Sequence, residues 1–298
     1  MAKWSPIRHR RTVITLHFAG YQPARSVHTR ALRTLRDAVA RRAGNDMCIT
    51  VTDSILEVGY RASDLLRMVE SGALDGCYFA SSYLAASVPT LGVFDRPFEA
   101  GSRDVVFGRL DGEAGTTLAR DVADATPYSV LAWWDNGIRH ISNAVRPIRS
   151  PADCAGLRLR TLDNAQHQAA FRRLGFVPTF VDVADLARAV ADRRVDAQEN
   201  PLTNIVNFGL QMHHRHVSLT GHLLGVAPLL VNRARYAALP GELQSVLAEA
   251  GQASAAEQHR LALAEDTECL RILAESQVEV LGPDAIDMQG FTAVVSTT

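Results

Sequence analysis

The segments WWDNGIRHISN (Trp133 to Asn143), LRLRT (Leu157 to Thr161) and VDAQENPLTN (Val195 to Asn204) decide the reading of this chain. Each is a short apolar strand that ends in polar residues fit to hold an anion. Leu157 and Leu159 alternate with Arg158 and Arg160, so the two arginines share one face of a strand. Arg139 and Arg160 then stand near strand ends, and Asn200 stands where a strand gives way to a helix. A guanidinium fork matches two coplanar carboxylate oxygens. Two such forks beside a carboxamide point to a small acidic ligand.

Outward from these segments, strand-like and helix-like stretches alternate, which predicts an α/β architecture with largely parallel pairing. Upstream, strands are expected at Val13 to Ala19, Met47 to Val51, Gly76 to Ala80 and Ser129 to Trp134, with helices between them. A second lobe is expected to begin near Gly137, with strands at Gly156 to Thr161 and Val195 to Gln198. Leu223 to Val231 is an apolar run that returns the chain to the first lobe. From Glu242 to Gln277 there is no proline and one glycine, among strong helix formers. At about 1.5 Å per residue such a helix is about 50 Å long, too long for one small lobe.

The chain has 298 residues, which favours two lobes over one. Hydrophobic residues make up 47% and charged residues 21%, with a formal net charge of −1. No basic stripe is interleaved with aromatics, which argues against nucleic acid as a partner. No stretch reaches the roughly 18 apolar residues that span a bilayer, so no direct membrane insertion is expected. The four cysteines lie far apart and read as free thiols. The basic start MAKWSPIRHRR is followed by TVITLHFAG, whose apolar run is broken by His17 and threonines, and which fits a strand better than an export signal. Either a leader precedes this sequence, or the protein is expected inside the cell.

The stretch from Trp133 through LRLRT, followed by VDAQENPLTNI, resembles the substrate-binding proteins of tripartite ATP-independent periplasmic (TRAP) transporters, of the dicarboxylate-binding kind. MVESGALD, VPTLGVFDRPF, LGFVPTFVDVADLARAV and LPGELQSVL follow that family's order, and the likeness covers roughly residues 12 to 285. The resemblance implies a two-lobed periplasmic-binding-protein-like fold (type II-like) with mixed, mostly parallel sheets and a long C-terminal helix spanning both lobes. The expected division is 1–136 plus 223–260 for lobe I and 137–222 plus 261–298 for lobe II, with a shared helix at about 241–277. The implied function is capture of an organic acid in the interlobe cleft and delivery to TRAP-type membrane subunits, in the periplasm, without cofactor or metal. Arg160 is then the salt-bridge partner of the ligand carboxylate, Arg139 a supporting cation, and Asn200 the residue that orients the ligand. Where the sialic-acid-binding branch has a glutamate this chain has Ser81 and Ser82, and where it has an aromatic this chain has Val183.

Each candidate has a plainer reading. Arg158 and Arg160 could be solvated or pair with Asp163, and Arg139 could be occupied by Trp133, Trp134 or Asp135. Asn200 before Pro201 could cap a helix, and is expected to do so while also facing the cleft. Gln198 and Glu199 read as scaffold. Tyr21, Ser81, Ser82 and Tyr83, at first-lobe strand ends, could donate to a hydroxylated ligand, and His222 could line the cleft. His213, His214 and His216 read as a solvated cluster rather than a metal site, because no further ligand stands nearby. Asp182, Asp185, Asp192 and Asp196 read as a solvated face. Nucleophile-elbow, Walker and dinucleotide-binding motifs are absent. Two rivals stand beside the transport reading: a cytosolic or sensor-linked binding module, and an α/β enzyme acting on a small acid with Asp182 or His167 as base.

Overall fold

The computed structural model describes residues 13–99 and 101–296. The elements run β1 (Ile14–Ala19), α1 (Val27–Ala43), β2 (Met47–Thr52), α2 (Asp64–Ser71), β3 (Gly76–Tyr78), α3 (Arg103–Leu110), α4 (Glu113–Ala125), β4 (Tyr128–Asn143), β5 (Arg158–Thr161) and α5 (Ala165–Arg173). They continue β6 (Val177–Phe180), α6 (Val183–Ala191), β7 (Ala197–Pro201), α7 (Leu202–Asn207), β8 (His216–Asn232), α8 (Arg233–Ala237), α9 (Gly241–Glu275), β9 (Glu279–Leu281) and α10 (Met288–Ser296). Short 3-10 turns at Ser81–Tyr83 and Pro89–Asp95 follow β3.

Hydrogen bonding joins the strands in the order β2-β1-β3-β8-β4-β7-β5-β6, with β9 on β8. β1 pairs in parallel with β2 and β3, and β5 with β6 and β7. The antiparallel pair β4–β8 runs through the middle and joins the β2-β1-β3 flank to the β7-β5-β6 flank. The sheet is therefore mixed, with parallel flanks and an antiparallel centre. The strand expected to stop at Trp134 continues to Asn143, and the return strand begins at His216 rather than Leu223. Both are buried along most of their length, so neither shows the alternation that marks a one-faced strand.

Three apolar cores surround this frame. The largest joins Leu16, Phe18, Leu32, Leu35, Tyr78 and Trp134 with Leu229 and Leu247. A second holds Ile141, Leu159, Phe171 and Phe291, and a third holds Leu186, Ile205, Val217 and Leu273. Leu247 and Leu273 lie on the one 35-residue helix α9, so that helix packs on the first core near its start and on the third near its end. The architecture is two-lobed α/β with a long C-terminal helix across both lobes. Of the four cysteines, all free, Cys77, Cys154 and Cys269 are buried.

Candidate functional site

Strand β5 carries Arg160 into the interior, where its side chain is 1% exposed. Its Nε donates to the Val181 carbonyl at 2.8 Å, which fixes the plane of the guanidinium. Its Nη2 is buried and has no hydrogen-bond partner among the described residues. Leaving a buried guanidinium donor unpaired is costly, so this atom marks where an acceptor belongs. Arg158, two residues earlier on the strand, turns to solvent and pairs with Asp196 at 2.6 Å.

Arg139, 4% exposed on β4, is held differently. Nε and Nη2 meet the Glu199 carboxylate at 2.5 and 2.8 Å, and Nη2 also donates to the Glu199 carbonyl and to Asn200 Oδ1. Glu199 is fully buried, and its second neighbour is His222, with Nε2 3.3 Å from Oε2. Burial alone raises a carboxyl's pKa, but the Arg139 charge and the His222 contact outweigh it and hold Glu199 well below the usual carboxylate range. Arg139 therefore braces the wall of the site. His222 does the same from behind, since its Nδ1 is 2.7 Å from Thr220 Oγ1.

Asn200 is not a helix cap. It lies within β7 opposite His140, and Pro201 takes the cap position of α7 without a side-chain bond. Its Oδ1 accepts from Asn204 at 3.1 Å and its Nδ2 donates to Gln198 Oε1 at 2.5 Å. The antiparallel pairing to β4 reaches Pro201, so the strand persists one residue further than the Asn-Pro pair suggests. Asn204 extends the chain of amides to the first lobe, accepting from Gln22 Nε2 at 2.8 Å.

The segments after β1 and β3 contribute rings and hydroxyls. The ring of Tyr83 lies 4.5 Å from that of Phe79, tilted by 47°, and the Phe79 ring lies 5.4 Å from that of Tyr21. Burial raises the pKa of the Tyr83 phenol, while the Arg160 guanidinium pulls the other way. Burial likewise pushes the Tyr21 phenol up, with Tyr83 adding to the effect and both arginines opposing it. Tyr21, Tyr83, Arg139 and Arg160 thus share one electrostatic neighbourhood, in which both phenols stay protonated and able to donate. Ser81 is buried at the start of the same turn, whereas Ser82 directs its hydroxyl to Asp95 at 2.5 Å.

Two groups expected in solvent are buried. His214 is 1% exposed and its Nδ1 sits 2.8 Å from Ser142 Oγ, because β4 and the turn before β8 close over it. Asp182 is buried as the cap of α6, accepting from the Ala184 amide at 2.9 Å. Asp95, Asn164 and Gln22, not singled out by the sequence, join the buried polar set, with no local pattern to reveal them.

Residues 18–297 match the family model for bacterial extracellular solute-binding protein, family 7. The chain is 27% identical over 220 residues to the 2,3-diketo-L-gulonate-binding periplasmic protein YiaO of Escherichia coli, covering 74% of this chain and 67% of that one. It is 30% identical over 233 residues to the uncharacterized protein y4mM of Sinorhizobium fredii. That match covers 78% of this chain but spans only 42% of the relative's length. A TRAP periplasmic solute-binding protein from Polaromonas sp. JS666, bound to D-erythronate, superposes with a TM-score of 0.89 at 25% identity, covering 95% of this chain and 92% of that one.

Proposed function

This chain belongs to the bacterial extracellular solute-binding proteins of family 7, and from that premise we propose that it captures a small hydroxylated monocarboxylate on Arg160. The observation that carries this reading is the buried Nη2 of Arg160 with no partner among the described residues, set against an Arg139 already engaged by Glu199. One unspent guanidinium accommodates one carboxylate. A second carboxylate would meet neutral phenols and amides and lose its hydration uncompensated. The protonated phenols of Tyr21 and Tyr83, together with Ser81, suit hydroxyl groups, which both donate and accept. Asn200 and His222 act in this reading through the wall they hold. D-Erythronate and 2,3-diketo-L-gulonate, named for two similar proteins, are acids of this class.

Lobe I is assigned to residues 1–136 with 223–260 and lobe II to 137–222 with 261–298, a division supported by the partition of the apolar cores. The bound acid closes the lobes because closure places it on a guanidinium that is otherwise costly to bury. The protein then passes it unaltered to the membrane subunits of a TRAP-type transporter in the periplasm. No helix among the described residues is long and apolar enough to cross a membrane, so the membrane passage falls to those subunits.

Calorimetry with D-erythronate, D-glucuronate, succinate and a neutral sugar tests the reading. We expect binding of the hydroxylated monocarboxylates, weaker binding of succinate and none of the sugar. Arg160→Ala should abolish it, and Arg160→Lys should weaken it strongly by removing the planar fork. Unchanged affinity in Arg160→Ala, or preference for the neutral sugar, overturns the assignment.

A further inference from the structure

We propose that Asp95 forms, with Asn164 and His167, an interlobe latch that sets how long the closed state lasts. The inference rests on the reading that the lobes close on an acid held by Arg160, and it adds residues outside that contact. Asp95 ends the 3-10 turn Pro89–Asp95 of the first lobe and is fully buried. Its Oδ1 accepts from Ser82 at 2.5 Å, a bond within its own lobe. Its Oδ2 accepts from Asn164 Nδ2 of the second lobe at 2.9 Å. His167 Nε2 lies 2.9 Å from Oδ1, a close contact without hydrogen-bond alignment.

Asn164 has two duties. Its Oδ1 caps α5 by accepting from the His167 amide at 3.0 Å, and its Nδ2 crosses to Asp95. The capping bond thus fixes the orientation of the amide and aims the donor at the other lobe. Three residues separate Asn164 from Arg160, and both belong to the β5–α5 corner. Seating a carboxylate on Arg160 and docking Asn164 on Asp95 are therefore positioned by one rigid corner.

The physical argument concerns solvation. In an open cleft Asp95 is hydrated and needs only Ser82. On closure it enters a low-dielectric interior, and its second-lobe partners must replace the lost water. Other bonds across the lobes differ in kind: Gln22–Asn204 joins neutral amides, Phe98–His222 joins backbone groups, Arg25–Asn207 lies at an exposed rim, and Arg103–Asp266 pairs side chains that keep 14% and 26% of their exposure. Asp95 is a fully buried carboxyl group whose Oδ2 finds its partner across the cleft.

Asn164→Asp keeps the helix cap, because aspartate caps as well as asparagine, but sets a carboxylate against Asp95. The paired swap Asp95→Asn with Asn164→Asp restores a donor and an acceptor in exchanged positions. Stopped-flow dissociation of D-erythronate is the first readout, and small-angle scattering of the D-erythronate-saturated chain is the second. We expect at least tenfold faster dissociation and a more open chain in Asn164→Asp, with substantial recovery in the swap. Wild-type dissociation and compactness in Asn164→Asp, or a swap no better than that variant, overturn the latch. If D-erythronate does not bind the wild type, the carboxylate reading fails, and the same two readouts, taken with whichever compound of the calorimetric series does bind, decide the latch: dissociation and compactness unchanged in Asn164→Asp overturn it.

Discussion

Glu199 determines how the two arginines divide their work. By taking Nε and Nη2 of Arg139 it neutralises one cation and leaves Arg160 as the guanidinium with an unused buried donor. The alternation within LRLRT placed Arg160 near a strand end, where it lies, but Arg139, expected near a strand end as well, stands inside β4, which runs on to Asn143. The sequence could not show which of them was spent, since the Arg139–Glu199 pair depends on the register that sets Arg139 opposite Pro201 across β4 and β7. The same limit hid Asp95, whose partner Asn164 lies 69 residues away. Glu199→Gln would strand Arg139 as an uncompensated charge with 4% exposure. Removing one member of a buried pair costs about 3–5 kcal/mol. Glu199→Gln should therefore lower the Tm by several degrees, whereas Arg160→Ala, which removes an unsatisfied donor, should leave it unchanged or raise it. Thermal denaturation of the two variants without ligand checks this, and equal losses in both would contradict the division of roles.

At the level of elements, the lobes are connected by strands that do not break. The sequence suggested a boundary near Gly137, and a backbone irregularity does lie there: φ is +88° and the β4–β8 register shifts between Asp135 and Gly137. What local pattern could not show is that pairing resumes at once, because a strand buried on both faces carries no alternation to follow. Asp135 Oδ1 accepts from the Gly137 amide at 2.6 Å, and Gln258 of α9 bonds both the amide and the carbonyl of Asp135. The long helix is thereby tied to the crossing point. A Cβ on Gly137 would come within 2.6 Å of the Pro201 Cβ, in a conformation that L side chains rarely adopt. Strain of this kind costs about 1–3 kcal/mol, and relief would push β7 away from β4. Gly137→Ala is expected to lower stability by that amount and to weaken acid binding through displacement of the Glu199–Asn200 wall. Chemical denaturation with calorimetry checks both, and a variant with wild-type stability would show that the crossing does not require the left-handed conformation.

At the scale of the whole molecule, closure and folding together bury many histidines without charging them. Burial lowers His28 to about 4, His140 to about 3 and His214 to about 4, with the neighbouring His222 adding to the effect on His140 and His213 to that on His214. In the unfolded chain each titrates near 6.5. The unfolded state therefore binds more protons below about pH 6.5, and stability falls with pH from there down to the folded values. At pH 5 each histidine contributes a loss of about 2 kcal/mol, so the three together approach the roughly 5–15 kcal/mol that holds a typical domain folded. The protein is thus expected to be most stable above pH 7 and to lose its fold cooperatively on mild acidification. His28 allows a clean test. Its ring stacks on Tyr78 at 5.0 Å and 18°, and neither ring nitrogen has a well-formed hydrogen bond, so a phenyl ring fits the same place. His28→Phe should match the wild type near pH 7.5 and exceed it by about 2 kcal/mol at pH 5, because one proton-binding site has been removed from the unfolded chain alone. Denaturant titrations at the two pH values measure the difference, and equal gains at both would assign the effect to packing instead of protonation.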